Sequence, residues 1–217
     1  MRFRRSGLAA WIMAFGMADA TPSLADGAVT GAGVPNAGAP ARTDDGQWRA
    51  GAYAFSDELG GFRILSATGR GTKAEPIVLV QELSSASPVT LTIRAVGPLQ
   101  PFAHDEGVAN GFLRMVVVIV NGSGLAWTQF EFELQESLGR PSVYGDGLSF
   151  DQRRRDGDSI ASDAFGRFDR AFEPYDRLLF EDGFLDPGKR ARFEFLISDF
   201  TPIAAFYLVQ DPRIPAS

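Results

Sequence analysis

Residues 127–136 read Trp-Thr-Gln-Phe-Glu-Phe-Glu-Leu-Gln-Glu, and the alternation in this stretch decides the fold class. The even positions hold large apolar residues, Phe130, Phe132 and Leu134, while the odd positions 129–135 hold glutamine and glutamate. Successive side chains of a strand point to opposite faces, so the pattern places three large apolar groups in a core and a polar row in water. A helix would scatter the phenylalanines around its circumference. We therefore predict a strand here.

Other segments of the chain also look like strands, some alternating and some apolar on both faces. They are 62–65, 77–80, 89–94, 115–120, 178–180, 192–197 and 204–209. Turn dipeptides such as Asn-Gly, Asp-Gly and Pro-Gly separate many of them, and no helix-forming stretch of ten or more residues is visible. Short strands joined by turns predict an all-β fold, a two-sheet antiparallel β-sandwich of Ig-like or jelly-roll-like type, over residues 51–212.

The first 25 residues have the composition of a secretory signal peptide. Three arginines within the first five residues precede an apolar stretch at 7–18, and Ser23 and Ala25 suit a signal peptidase. An uncleaved anchor is the alternative, but the apolar stretch is shorter than a membrane span. Residues 26–50 are rich in Ala, Gly and Pro, which predicts a flexible leader. We expect a periplasmic or secreted protein without a transmembrane anchor after cleavage.

The composition excludes several classes of function. The 217 residues are 45% hydrophobic and carry a formal net charge of -6, which argues against disorder and against a nucleic-acid partner. Without cysteine there is no disulfide, thiolate metal site or cysteine nucleophile. The single histidine, His104, lies in a loop, and no Gly-x-Ser-x-Gly elbow accompanies it. We expect a non-catalytic binding or structural module; the alternative is a carboxylate-dependent hydrolase acting on extracellular polysaccharide.

Calcium is the cofactor that the acidic residues favour. A long irregular stretch, 144–175, contains carboxylates on glycine-bearing segments, and hard cations bind six to eight oxygens. The candidate calcium ligands are Asp146, Asp151, Asp156, Asp158 and Asp163. Their spacing is not that of an EF-hand, and the neighbouring arginines at 153–155 offer the alternative of an acidic loop closed by internal ion pairs.

The same stretch contains a candidate partner surface of arginines and aromatic residues. Its members are Arg153, Arg154, Arg155, Phe165, Phe168, Phe172 and Tyr175. Such side chains make good contacts with a protein or a sugar ring, so an envelope protein or a polysaccharide is the expected partner. The spacing of the three phenylalanines fits equally well one short helix packed on the sandwich.

Several sequence blocks resemble a group of exported bacterial β-sandwich domains. The resemblance rests on Asn121-Gly-Ser-Gly-Leu-Ala-Trp-Thr, on the Phe-x-Phe-x-Leu strand after it, and on segments 145–151, 179–188, 193–199 and 208–212. It covers roughly residues 112–212. Domains of this group occur in secreted proteins, some with hemolysin-type calcium repeats or a C-terminal sorting helix. The resemblance implies an exported sandwich module and assigns no catalytic residue.

Overall fold

The alternating stretch 127–136 forms a central strand, β8, of an eight-stranded sheet. The computed structural model describes residues 41–105, 107–143, 145–150 and 159–215, all within a compact unit that spans Asn36–Ser217. The strands are β1 Ala41–Arg42, β2 Trp48–Ala50, β3 Tyr53–Ser56, β4 Phe62–Thr68, β5 Ile77–Leu83, β6 Val89–Ala95, β7 Phe112–Asn121, β8 Gln129–Gln135, β9 Leu148–Ser149, β10 Ala161–Ser162, β11 Phe165–Asp169, β12 Arg177–Gly183, β13 Arg190–Asp199 and β14 Ala205–Arg213.

Two sheets make up the sandwich, as the sequence predicts. The larger sheet has the order β1-β2-β3-β6-β14-β8-β12-β11, and all of its pairs are antiparallel. The smaller sheet has the order β10-β13-β7-β5-β4, and β9 also pairs with β13. One pair departs from the antiparallel prediction, because β5 and β7 run parallel. Parallel neighbours need a crossover connection, and here the chain makes it by building β6 in the opposite sheet.

Phenylalanine rings from the two sheets meet in the core. The rings of Phe130 and Phe193 lie 4.9 Å apart between centroids, and those of Phe132 and Phe195 also lie 4.9 Å apart. All four side chains are buried. Burying one such side chain contributes about 1.5–3 kcal/mol relative to leaving it in water. The apolar side chains at positions 130, 132 and 134 therefore pack into the core as predicted.

The polar side chains that alternate along β8 were expected in water, but they are buried. Glu131 and Glu133 are only 6% and 8% exposed, because arginines from the neighbouring strands lie against them. Arg177 Nε donates to Glu133 Oε2 at 2.6 Å, and Arg213 Nη2 lies 2.7 Å from Glu131 Oε2. The aliphatic stems of arginine cover the sheet while the guanidinium groups neutralise the carboxylates. Ion pairs thus cover the outer face of the larger sheet around β8.

A pair of amides joins the two sheets inside the core. Gln81 on β5 and Gln210 on β14 are fully buried, and each donates a hydrogen bond to the other's side-chain oxygen. A buried amide without a partner would cost about 1–3 kcal/mol, so the reciprocal pairing makes both positions tolerable. The pair also fixes which residues face each other across the sandwich.

Two expectations about chain organisation are corrected. Residues 165–169 form strand β11 on the edge of β12 and not a short helix, since pairing with β12 satisfies their backbone groups. Part of the predicted leader, 41–50, belongs to the larger sheet as β1 and β2. Trp48 packs against the core there and supplies the apolar surface that the rest of that segment lacks.

Candidate functional site

The two ends of the sandwich differ in the hydrogen bonding of their polar side chains and in the burial of their apolar ones. One end, which we call the loop end, carries the β6–β7, β8–β9 and β13–β14 connections. The other, which we call the asparagine end, carries the β7–β8 and β12–β13 connections. At the loop end lie clustered phenylalanine rings and a buried carboxylate that has no ion-pair partner among the residues the structure describes.

Three phenylalanines form a cluster at the loop end. The ring centroids of Phe102, Phe112 and Phe200 lie 5.7–6.0 Å apart. Phe102 is 55% exposed and Phe112 is 37% exposed. Rings at these distances stabilise one another, yet much of their surface stays in water. We refer to these residues as the phenylalanine cluster.

Phe102 is held in an unfavourable backbone conformation. Its φ is 64°, in the left-handed region that bulky residues rarely adopt. The Phe102 N–H donates to the carbonyl of Asn110 at 3.0 Å, and the Asn110 side chain donates to the carbonyl of Ala103 at 2.9 Å. These bonds hold the β6–β7 loop so that the exposed ring is presented in one place. Strain of this kind is concentrated at binding and catalytic sites.

A cleft lies next to the phenylalanine cluster. It is shallow, and its volume of about 10 Å³ is room for a single water molecule. Its lining residues are Tyr53, Leu99, Gly111, Leu113, Ile197, Asp199, Pro202, Ile203 and Phe206. Gly111 and Asp199 are the chain neighbours of Phe112 and Phe200, which places the cleft beside the rings. Gly111 is required for the wall, because a Cβ there would lie 2.1 Å from the carbonyl oxygen of Asp199.

Asp199 is the charged group of this cleft. Burial raises the pKa of its carboxyl above the usual range, and the hydrogen bond from the Thr201 N–H (2.9 Å) opposes that rise. The charge of Asp146 raises the pKa further. Burial, with the charge of Asp199, raises the pKa of Tyr53 to about 12. Burial and the same two aspartates also raise the pKa of Glu136, so the loop end is a region of negative potential.

The asparagine end is fully hydrogen-bonded around one side chain. Asn121 is buried; its amide donates to the carbonyls of Leu125 (2.8 Å) and Leu185 (2.9 Å). Its side-chain oxygen accepts from the Ser123 N–H and hydroxyl. The indole of the buried Trp127 donates to the Ser123 hydroxyl at 2.9 Å. The Asn-Gly-Ser-x-x-x-Trp block, on which the resemblance partly rests, therefore works here as a structural cap.

The described residues bring no calcium site together. Among them, no three acidic or histidine side chains lie close enough to hold one metal ion. Asp146 caps its own loop, accepting from the Ser142 hydroxyl at 2.6 Å and the Val143 N–H at 2.9 Å. Asp163 accepts from the Arg192 N–H at 2.7 Å. The other candidates, Asp151, Asp156 and Asp158, lie outside the described residues, so calcium binding stays a prediction.

The aromatic residues of the predicted partner surface do not all lie on the surface. Phe165 is buried and stacks on Phe193 at 5.8 Å, so it is removed from the surface; Phe168 packs partly against the core. Phe172 is half-buried, and Tyr175 is 43% exposed with the Arg177 guanidinium 5.3 Å from its ring centre. Arg153, Arg154 and Arg155 lie outside the described residues.

The loop-end residues were missed by sequence reasoning. Phe102, Phe112 and Phe200 are spread over almost a hundred residues, and no pattern in the chain links them. Asp199 ends an alternating strand and looks like an ordinary turn aspartate. One signal was available: Pro101-Phe102 places a large apolar ring in a loop, where solvent exposure needs a reason.

Comparisons of this chain with protein-family models, curated proteins and solved structures find no match. Over the residues that the structure describes, none forms part of a helix long and apolar enough to cross a membrane. The class that the fold itself defines is an all-β, two-sheet sandwich, and its loop end carries the phenylalanine cluster.

Proposed function

We propose that this protein is an exported, non-catalytic binding module of a bacterial envelope and that it binds its partner through the loop end. The observation that carries the proposal is the phenylalanine cluster, in which Phe102 is exposed while a strained backbone holds it in place. Keeping an apolar ring in water on a strained loop costs stability, so a binding role explains why the arrangement exists.

The geometry favours binding over catalysis. A glycoside hydrolase uses two carboxyl groups across a cleft, and of the described residues a single carboxyl group, that of Asp199, lines the cleft at the loop end. Elsewhere, on β8, the carboxyl groups of Glu131 and Glu133 lie close together, and burial raises the pKa of Glu131. Both, however, are bonded to arginines on a closed sheet face. The hydrolase alternative would gain support if purified protein hydrolysed a polysaccharide and Asp199→Asn abolished the reaction.

Export and calcium belong to the same proposal. A signal peptide at 1–25 would deliver the module to the periplasm or beyond, where an envelope protein or a polysaccharide is available as partner. Calcium bound by the 144–163 segment would stiffen the edge of the smaller sheet. Millimolar calcium should then raise the melting temperature, and Asp156→Ala with Asp158→Ala should abolish the rise. An unchanged melting temperature would remove calcium from the proposal.

The binding role is tested by co-sedimentation of the purified protein with envelope fractions of the bacterium that makes it. We expect the double variant Phe102→Ser, Phe112→Ser to bind at least tenfold more weakly than wild type. Phe184→Ser is the matched control, since Phe184 is 65% exposed and lies at the asparagine end beside Leu185. Equal loss in the control, or full binding by the double variant, would refute the proposal.

A further inference from the structure

The chain contains two asparagine–glycine sequences, one at each end of the sandwich. Asn110-Gly111 comes just before β7, at the loop end, and Asn121-Gly122 comes at the close of β7, at the asparagine end. In this dipeptide the glycine nitrogen can attack the side-chain carbonyl carbon of asparagine, because glycine has no side chain that shields the nitrogen. Since the dipeptide is the same at both ends, a difference in reactivity between them comes from the fold.

The attack converts the asparagine amide into a carboxylate. The glycine nitrogen bonds to Cγ of asparagine and gives up its proton, which leaves with the amide nitrogen as ammonia, and a cyclic succinimide remains. Water then opens the ring by adding hydroxide to one of its two carbonyl carbons and a proton to the ring nitrogen. The product is aspartate or isoaspartate, depending on which carbonyl is attacked, and water is the only reactant consumed. This chemistry contributes to the thermolability of asparagine in proteins.

At the asparagine end, the reacting groups are held apart by hydrogen bonds. The Gly122 N–H donates to the carbonyl of Leu83 at 2.9 Å, so the attacking nitrogen is occupied. Asn121 is fully buried, and its side chain makes four hydrogen bonds. Bringing Cγ of Asn121 to the nitrogen would break these contacts, so the reaction there requires the buried cap to open first.

At the loop end, the attacking nitrogen has no such partner. Within the described ranges of the chain, the Gly111 N–H donates no hydrogen bond. The Asn110 side chain is only partly buried and makes two hydrogen bonds, to the Ala103 carbonyl and from the Phe112 N–H. The bond from Phe112, at 3.0 Å, would stabilise the negative charge that develops on the side-chain oxygen during attack. The reaction therefore has fewer contacts to break at Asn110 than at Asn121.

Conversion of Asn110 would release the loop that holds Phe102. The Asn110 amide donates to the Ala103 carbonyl at 2.9 Å, and a carboxylate in its place has no proton to donate. Isoaspartate would also route the backbone through the side chain, which displaces the Asn110 carbonyl that accepts from the Phe102 N–H at 3.0 Å. The conformation of the Phe102 loop thus depends on an intact Asn110.

We infer that Asn110 is a site of spontaneous deamidation in the folded protein and that the reaction loosens the loop presenting Phe102. The loop end then changes as the protein ages, while the asparagine end does not. The expected consequence, weaker partner binding by aged protein, rests on the proposed function, whereas the reaction itself does not depend on it.

The test of the reaction is peptide mapping by mass spectrometry after incubation of the folded protein in mildly alkaline buffer. Trypsin separates the two sites, because Arg114 lies between them. We expect Asn110 to lose its amide at least about tenfold faster than Asn121. The same incubation in urea is the matched control, and there the two rates should be about equal because the fold no longer distinguishes the sites.

The variant Asn110→Asp copies the aspartate product and tests its effect on the loop. We expect the Phe102 amide to exchange with deuterated solvent at least about tenfold faster than in wild type. The Trp127 amide, which donates to the Leu185 carbonyl at the asparagine end, should exchange at an unchanged rate. Co-sedimentation of the variant with envelope fractions should fall. If the variant does not fold, wild-type protein aged until Asn110 has reacted supplies the same measurements.

Three results would overturn the inference. They are equal rates at the two asparagines of the folded protein, no reaction at Asn110 over a period in which the urea sample reacts, and unchanged exchange of the Phe102 amide after conversion. Rapid exchange at Phe102 combined with full envelope binding would support the inference about Asn110 and count against the proposed function. Slow reaction at Asn110 together with loss of binding in the phenylalanine variants would do the reverse.

Discussion

The asparagine end and the loop end close the same sandwich in opposite ways. At the asparagine end, Asn121, Ser123 and Trp127 bond to one another and to nearby carbonyls inside a buried cap. At the loop end, Phe102 is strained and exposed, and Asp199 is buried without an ion-pair partner among the described residues. Both ends contain similar residue types, so the difference lies in how they are partnered. We infer that one end serves stability and the other serves binding.

The largest expected effect comes from Asn121→Ala. The variant loses four hydrogen bonds of a buried side chain and leaves carbonyls unpaired, so the free energy of unfolding should fall by about 3 kcal/mol or more. Asn110→Ala at the loop end is the matched control, since the Asn110 side chain makes two hydrogen bonds, to the Ala103 carbonyl and from the Phe112 N–H. It should cost about 1 kcal/mol. Urea denaturation measures both, and equal losses would break the contrast between the ends.

The next effect concerns the core between the two ends. Gln210→Met removes one amide and leaves Gln81 buried without its partner, so unfolding should become easier by about 1–3 kcal/mol. The double variant with Gln81→Met replaces both polar groups by apolar ones of similar size and should recover most of that loss. Denaturation of the single and double variants is the measurement. A double variant no more stable than the single one would show that the pair is not what joins the sheets.

A smaller effect is expected for Phe102→Gly. Glycine adopts the left-handed backbone at no steric cost, while the lost ring was only half-buried, so stability should change by less than about 1 kcal/mol. Binding to envelope fractions should nevertheless be lost. A large drop in the melting temperature would mean that the ring is a structural element, and the loop end would then resemble the asparagine end.

The smallest effect is a change in the pH dependence of stability. Because the pKa of Asp199 is raised on folding, the folded state holds that proton more tightly, and stability is lost as the pH rises through the raised pKa. Asp199→Asn does not titrate, so it does not lose stability in this way, and the oxygen of its amide can still accept the hydrogen bond from the Thr201 N–H. Its unfolding free energy relative to wild type should therefore improve as the pH rises above about 4, the ordinary pKa of an aspartate, and through the raised pKa of the folded state. Asp186→Asn, at an exposed site of the asparagine end, provides the control, and a flat difference for Asp199→Asn would contradict the assignment.

The sequence predicts the framework better than the site. Alternation at Phe130, Phe132 and Leu134 identifies β8 and its core face, because that pattern depends only on neighbours along the chain. The parallel pairing of β5 with β7 depends on where β6 goes, which no local pattern encodes. Likewise, helical spacing of aromatic residues at 165–172 is overridden by pairing with β12.

The candidate site was not predictable, for a related reason. Phe102, Phe112 and Phe200 meet only after three connections close over one end of the sandwich, and each looks unremarkable alone. The acidic 144–163 stretch drew attention because its charges are close in sequence. Asp146 from that stretch does reach the loop end, where its carboxylate caps a turn and influences Asp199.

Photo-crosslinking in the living bacterium tests the assignment of the two ends most directly. A benzophenone-bearing phenylalanine would replace Phe102 in one strain and Phe184, which is somewhat more exposed, in another. Upon irradiation, we expect a covalent adduct with an envelope partner from position 102 and none from position 184. Adducts from position 184 alone, or equally from both positions, would contradict the view that binding is confined to the loop end.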